Sequence, residues 1–413
     1  MRTRVASCFA RGRSTECDLF TVRVGDRGRS WAADRRSRAG MKLFSCDTCQ
    51  QLLFFESVQC TGCGRALAYL PDRELVSTID PEKQPARDDQ DRGTSSVQAG
   101  RVIARAAGGE TYRLCRNFTD HAVCNWAVPV DEADAYCRAC RLNQMIPNLN
   151  DSRAKAEWHR LEVAKRRLLY TLFRLRLPIE SKAQNPEGGL AFSFMQDDPA
   201  DHERRVFTGH RDGVITINIA EADDPFREKM RVQMGEAYRT LLGHFRHEIG
   251  HYYWERLIRH GEGLAEFRAR FGDERDDYAQ AQQLHYGQGP LPDWQTRFIS
   301  AYASTHPWED WAETWAHYLH MVDTLDTALA YGLSLQASPD AEAASFSTLA
   351  ARGLELHSFE DLMSNWFPLT VALNSLSRSM GENDFYPFVL SDAAIEKLRF
   401  VHQAIKRIGD KAS

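Results

Sequence analysis

Residues 240–258 read TLLGHFRHEIGHYYWERLI. No proline interrupts the stretch, and Leu241, Leu242, Phe245, Ile249, Tyr252, Tyr253 and Leu257 supply apolar positions, so it reads as a buried helix. Residues four apart on a helix lie only about 40° apart around the axis. His247 and His251 therefore present both imidazoles to one point, with Glu248 beside the first. This H-E-x-x-H arrangement is expected to form a zinc site in which the glutamate would act as general base toward a zinc-activated water. Gly250 inside the helix costs stability, and is expected to let another segment approach closely beneath the site.

Upstream, Arg211-Asp212-Gly213 reads as a turn and residues 214–219 (VITINI) as a strand entering the core. A strand ahead of an H-E-x-x-H helix is the zincin order, the strand forming the upper wall of the cleft. A metzincin would need a glycine three residues after His251 and a histidine six after it. Trp254 and Leu257 stand there. The third ligand is then a carboxylate from a second helix, and Tyr302 to His317 (YASTHPWEDWAETWAH) is its source. Pro307 marks a helix start, and Glu309 and Glu313 share a face. We assign Glu309 as the ligand and Glu313 as the brace on an imidazole, the reverse remaining open because ligand type alone does not separate them. Asp310 points about 100° away, and reads as a charge at the helix N-terminus. Tyr302 is a candidate phenol donor to the oxyanion, or else a partly buried core tyrosine. His317 is the runner-up ligand. Trp308, Trp311 and Trp315, spaced at three and four, read as core packing.

Eight of the ten cysteines fall between Cys46 and Cys140. Cys46-x-x-Cys49 and Cys60-x-x-Cys63 are two knuckles that complete a tetrahedral S₄ zinc site, with Gly62 and Gly64 suited to positive-φ turns. Cys115, Cys124, Cys137 and Cys140 form a looser second cluster, with His121 as a competing ligand. A structural role for both ribbons is favoured over a nucleic-acid or protein platform, because few basic residues interleave with aromatics there.

The 413 residues carry a net charge of −5, of which residues 1–40 contribute +6, leaving −11 on the remainder. Nucleic acid is not an expected partner of so acidic a body. No apolar run is long enough to span a bilayer. Residues 1–40 read as a disordered basic extension, with Cys8 and Cys17 as free thiols. Residues 41–146 form the zinc-ribbon region, with a polar linker at 80–100, and 147–413 the catalytic body. Asp151 is the expected N-cap of a helix that ends before Pro178. C-x-x-C pairs without an export signal place the protein in the cytoplasm.

Through MKLFSCDTC, CNWAVP, CRACRLN, YRTLLGHFRHEIGHYYWERL and PWEDWAETWAHY, the chain resembles, from Met41 to near Ile408, the bacterial zinc-binding metallopeptidases with an N-terminal zinc-ribbon domain. The Tyr302/Glu309/Glu313 spacing is also similar to that of lethal-factor-type gluzincins. These resemblances imply a peptidase without identifying its substrate. The expected fold is α+β: Cys₄ ribbons, a short mixed sheet and a mostly helical zincin-like body. The expected function is hydrolysis of peptide bonds in a peptide or protein, with one catalytic and two structural zinc ions. The rivals are a binding module on a catalytically silent zincin scaffold, and a hydrolase of non-peptide amides or esters.

Overall fold

In a computed structural model, the described residues are 43–82, 100–198, 205–234, 240–333, 335 and 358–411. The basic extension at 1–40, with Cys8 and Cys17, and most of the polar linker lie outside them. The described chain is α+β, as its sequence implies.

The cysteine-rich region is built from short strands. β1 (Phe44–Ser45) and β2 (Leu52–Leu53) pair inside the first cluster. β3 (Leu67–Leu70), β4 (Leu75–Pro81), β5 (Arg101–Ala104), β6 (Glu110–Leu114) and β7 (Ala127–Pro129) form an antiparallel sheet in that order, with a short helix α1 (Arg116–Thr119) between the last two. The Tyr69 N–H donates to the Asn125 carbonyl at 2.8 Å, and Tyr69 bridges to Trp126, so the sheet curls until its first and last strands touch. Closing the edges this way satisfies backbone groups that a short open sheet would leave bare.

β8 (Asn143–Met145) then crosses into the body. It pairs parallel with β9 (Ala191–Met195), which pairs parallel with β11 (Val214–Asn218), and β10 (Gly209–Arg211) adds an antiparallel edge. Between them runs α2 (Ser152–Arg174), whose N-cap Asp151 accepts the Arg153 N–H at 2.8 Å. Leu161, Leu168 and Leu172 recur at helical spacing and are fully buried. The other body helices are α3 (Asp224–Met234), α4 (Leu241–Leu257), α5 (Leu264–Phe271), α6 (Tyr278–Gln288), α7 (Trp294–Arg297), α8 (Pro307–Ala330), α9 (Phe359–Ser379) and α10 (Asp392–Lys411). Among the described residues, no helix is long and apolar enough to cross a membrane.

A continuous core joins the cysteine-rich region to the body, and a smaller separate one lies within the five-stranded sheet. Phe55 and Tyr69 meet Tyr170 of α2 at ring distances of 5.3 and 6.3 Å. Within the body α4 packs most extensively on α8. Gly250 is the point of closest approach: a Cβ added there would lie 3.0 Å from Ala312 Cα and 3.2 Å from Trp315 Cβ. Trp311 Nε1 donates to the Gly250 carbonyl at 2.8 Å, which holds the two helices in register. Arg246 pairs with Asp323 on the same interface, and Thr171 of α2 donates to Asp323 at 2.8 Å. The helices that carry the candidate site are thus fixed by packing and by buried charge pairs.

Candidate metal centre

Thr240 caps α4 by accepting the Gly243 N–H at 3.0 Å, which sets the helix phase. One turn apart on its buried face, His247 and His251 bring their Nε2 atoms to 3.2 Å. α8 begins with its own cap: His306 Nδ1 accepts the Trp308 N–H at 3.1 Å, and Pro307 opens the first turn. That turn delivers Glu309, 1% exposed, so that Oε2 lies 3.0 Å from His247 Nε2 and 3.5 Å from His251 Nε2.

Three donors around one tetrahedral zinc at about 2.0–2.1 Å are separated by about 3.3 Å. The three observed separations bracket that value, and the buried Glu309 Oε2 accepts no hydrogen bond of good geometry. The donor set therefore fits a zinc ion. Burial opposes the ionisation of Glu309, but the neighbouring charges of His251 and then His247 outweigh it and hold the carboxyl well below its usual range.

Glu313, one turn beyond, faces the other side of the same imidazole. His247 Nδ1–H donates to Glu313 Oε1 at 2.7 Å, and the Ser300 hydroxyl donates to Oε2 at 2.6 Å. This chain fixes the tautomer that leaves Nε2 as an electron-pair donor. Burial would raise the Glu313 pKa, yet His247 holds it at about 2. Glu248 is 8% exposed, and its Oε2 makes no protein hydrogen bond.

The walls are aromatic. Trp308 lies against His251, the two rings tilted by 50° with centroids 4.2 Å apart, so it borders the site while also packing against the core as its spacing suggested; Trp311 and Trp315 are core, both fully buried. Tyr302 lies 5.9 Å from His247, ring to ring, and burial first, then Glu309, pushes its phenol well above the usual range. From the edge strand β10, His210 lies 6.4 Å from His251; burial, followed by the His251 charge, holds its pKa down to about 3. Tyr278 is a site residue that sequence reasoning missed: its hydroxyl donates to Glu309 Oε1 at 2.6 Å. It lies 31 residues before Glu309 in a polar stretch. Its only local signal is Asp277, the N-cap that starts α6.

Other sequence candidates lie elsewhere. Asp310 is turned away in the first turn of α8, as expected of a helix-terminal acid, and is fully buried against Lys397 at 2.5 Å. His317 Nδ1 meets the Tyr386 hydroxyl at 2.6 Å, outside the cluster.

Both cysteine clusters converge. Cys46 and Cys63 Sγ are 3.7 Å apart, Cys49 and Cys60 3.6 Å, and Cys124 and Cys137 3.7 Å. A tetrahedral zinc with bonds of about 2.3 Å sets sulfur atoms about 3.8 Å apart. Cys115 and Cys140 complete the second set, all four thiols being buried, while His121 packs against Trp158 instead. In the first set Gly64 takes the expected positive φ of 72°, but Gly62 does not. Space at 62 is tight instead: a Cβ would sit 3.1 Å from Gln51 Cβ and 3.2 Å from Cys49 Sγ.

A histidine pair on one helix, a carboxylate on a second, and a Cys₄-bearing region ahead of them define a zinc-binding protein of the metallopeptidase type. The chain belongs to the family described as "putative zinc-binding metallo-peptidase", which matches residues 154–404, and a zinc-ribbon domain matches residues 43–151. It is 42% identical over 369 residues to uncharacterized proteins of Mycobacterium bovis and of two Mycobacterium tuberculosis strains, covering 89% of this chain and 96% of each relative. No solved structure matches the chain.

Proposed function

We propose that the protein is a zinc-dependent peptidase whose catalytic ion is held by His247, His251 and Glu309. The observation that carries this reading is the convergence of two Nε2 atoms and one carboxylate oxygen at 3.0–3.5 Å, with Glu248 adjacent. When bound, the ion acts as a Lewis acid on the scissile carbonyl and acidifies water. Glu248 takes the proton of the attacking water and passes it to the leaving amine. Its free, buried Oε2 is available for that transfer. Glu313 and Ser300 keep the His247 ring oriented, and Tyr302 donates a hydrogen bond to the developing oxyanion. β10 and Trp308 bound the cleft that receives the peptide.

The two Cys₄ clusters hold structural zinc, supplying folding energy to strands too short to stand alone. We place residues 41–146 as the zinc-ribbon region and 147–413 as the catalytic body. Eight thiols gathered into ligand sets suit a reducing compartment, the cytoplasm. The test is cleavage of a peptide library by the wild type and by Glu248→Gln. Defined cuts by the first and none by the second are expected. Equal cleavage by both, or none by zinc-loaded wild type, would overturn the reading.

A further inference from the structure

The two oxygens of Glu309 are committed differently. Oε2 faces both imidazoles, while Oε1 accepts the Tyr278 hydroxyl at 2.6 Å. That phenol is held in turn: Gln282 Nε2, one helical turn along α6, donates to its oxygen at 2.7 Å. The ring stands edge-on to His306 at 5.2 Å and to Trp308 at 5.9 Å. A second staple fixes the same two segments, since His306 Nε2 donates to the Asp276 carbonyl at 3.1 Å. Residues 276–278 and 306–309 are thus joined at two points, one of them at the carboxylate itself. α6 buries no residue fully, so these polar links, and not an apolar face, are what seat Tyr278.

We propose that Tyr278 is a positioning residue that holds Glu309 to one-oxygen coordination, an inference that rests on the assignment of Glu309 as a zinc ligand. A short charge-assisted hydrogen bond occupies Oε1 and keeps it turned from the imidazoles. A carboxylate without that tether can bring both oxygens to the ion and take a fifth coordination place beside the position that a catalytic zinc site keeps for water or substrate. Tyr278 acts through Glu309 and touches neither the ion nor the substrate.

The test replaces zinc at this site with cobalt(II) in the full chain, the Cys₄ clusters retaining zinc. In Tyr278→Phe the visible d–d bands should weaken and shift as a fifth donor, Oε1, enters. Zinc affinity, read by chelator competition, should fall about 10–100-fold, the usual range for loss of a ligand's supporting partner. Gln282→Leu, which leaves the phenol in place but unsupported, should move both readouts the same way and less. A merely structural role would lower thermal stability and leave the cobalt bands unmoved. Tyr278→Phe with the wild-type spectrum and affinity would overturn the proposal. Glu309→Ala separates the two levels: if it abolishes the bands while Tyr278→Phe leaves them unchanged, only the role of the phenol fails. Bands unchanged by Glu309→Ala would overturn the ligand assignment beneath it.

Discussion

Gly250→Ala places two opposed effects on one atom, and the structure decides between them. Exchanging glycine for alanine inside a helix ordinarily stabilises by about 1 kcal/mol. Here the new Cβ would meet Ala312 Cα at 3.0 Å, Trp315 Cβ at 3.2 Å and Ala312 O at 3.3 Å. Carbon atoms rest about 3.5–4.0 Å apart, so α8 must give by several tenths of an ångström. The obstructing atoms are backbone or Cβ, and Ala312 and Trp315 are both fully buried, so no side chain can turn aside. Overpacking of a closed core costs about 1–3 kcal/mol, and the immobility of these neighbours places the cost near the upper end. The net expectation is a destabilisation of about 1–2 kcal/mol. Parting α4 from α8 also widens the 3.0 Å gap between His247 and Glu309, so zinc binding should weaken with stability. Urea unfolding of the zinc-saturated protein, followed by tryptophan fluorescence, gives the first quantity; chelator competition gives the second. A higher urea midpoint with unchanged zinc affinity would refute the argument that this contact sets the helix spacing.

Further expectations concern metal and pH. Purified protein should contain about three zinc ions, with chelators stripping the body site before the closed S₄ sites; metal analysis giving about one would remove both ribbons from the account. Glu309→Ala should lower body-site zinc affinity more than Glu313→Ala, and the opposite order in a titration would mean that ligand and brace are exchanged. His402 is held by burial, and then by Lys406, at a pKa of about 4, and shares a 3.0 Å hydrogen bond with Tyr318. A histidine kept neutral in the fold stabilises fully above its unfolded pKa of about 6.5, and that stability is lost as pH falls toward 4. At pH 5 this amounts to about 2 kcal/mol, so His402→Leu should show a flatter urea midpoint between pH 7 and 5 than the wild type.

The helices of the body were legible because their signals are local. Asp151, Thr240 and Pro307 each stand at a helix start, and apolar positions recur at three and four in α2 and α4. The cysteine spacing likewise announces its own geometry. The curled five-stranded sheet was not legible, since strands of three to seven residues in a polar, cysteine-rich segment leave no sustained period. Nor was the crossing of β8 into the body's sheet, because a parallel pairing across about fifty residues has no local signature. Tyr278 and Trp308 show the same limit within the site. Their roles come from tertiary contacts with Glu309 and His251, whereas His247 and His251 meet through helix geometry alone.

The central claim is that zinc at His247, His251 and Glu309, with Glu248 as base, cleaves peptide bonds. Protein stripped at the body site is titrated with zinc while cleavage of a selected library peptide is followed. The rate should rise linearly and break at one equivalent. Glu248→Gln should bind the same equivalent and stay inactive, because the base is lost while every ligand remains. Cleavage that is indifferent to body-site zinc, or that persists in Glu248→Gln free of contaminants, would contradict the claim.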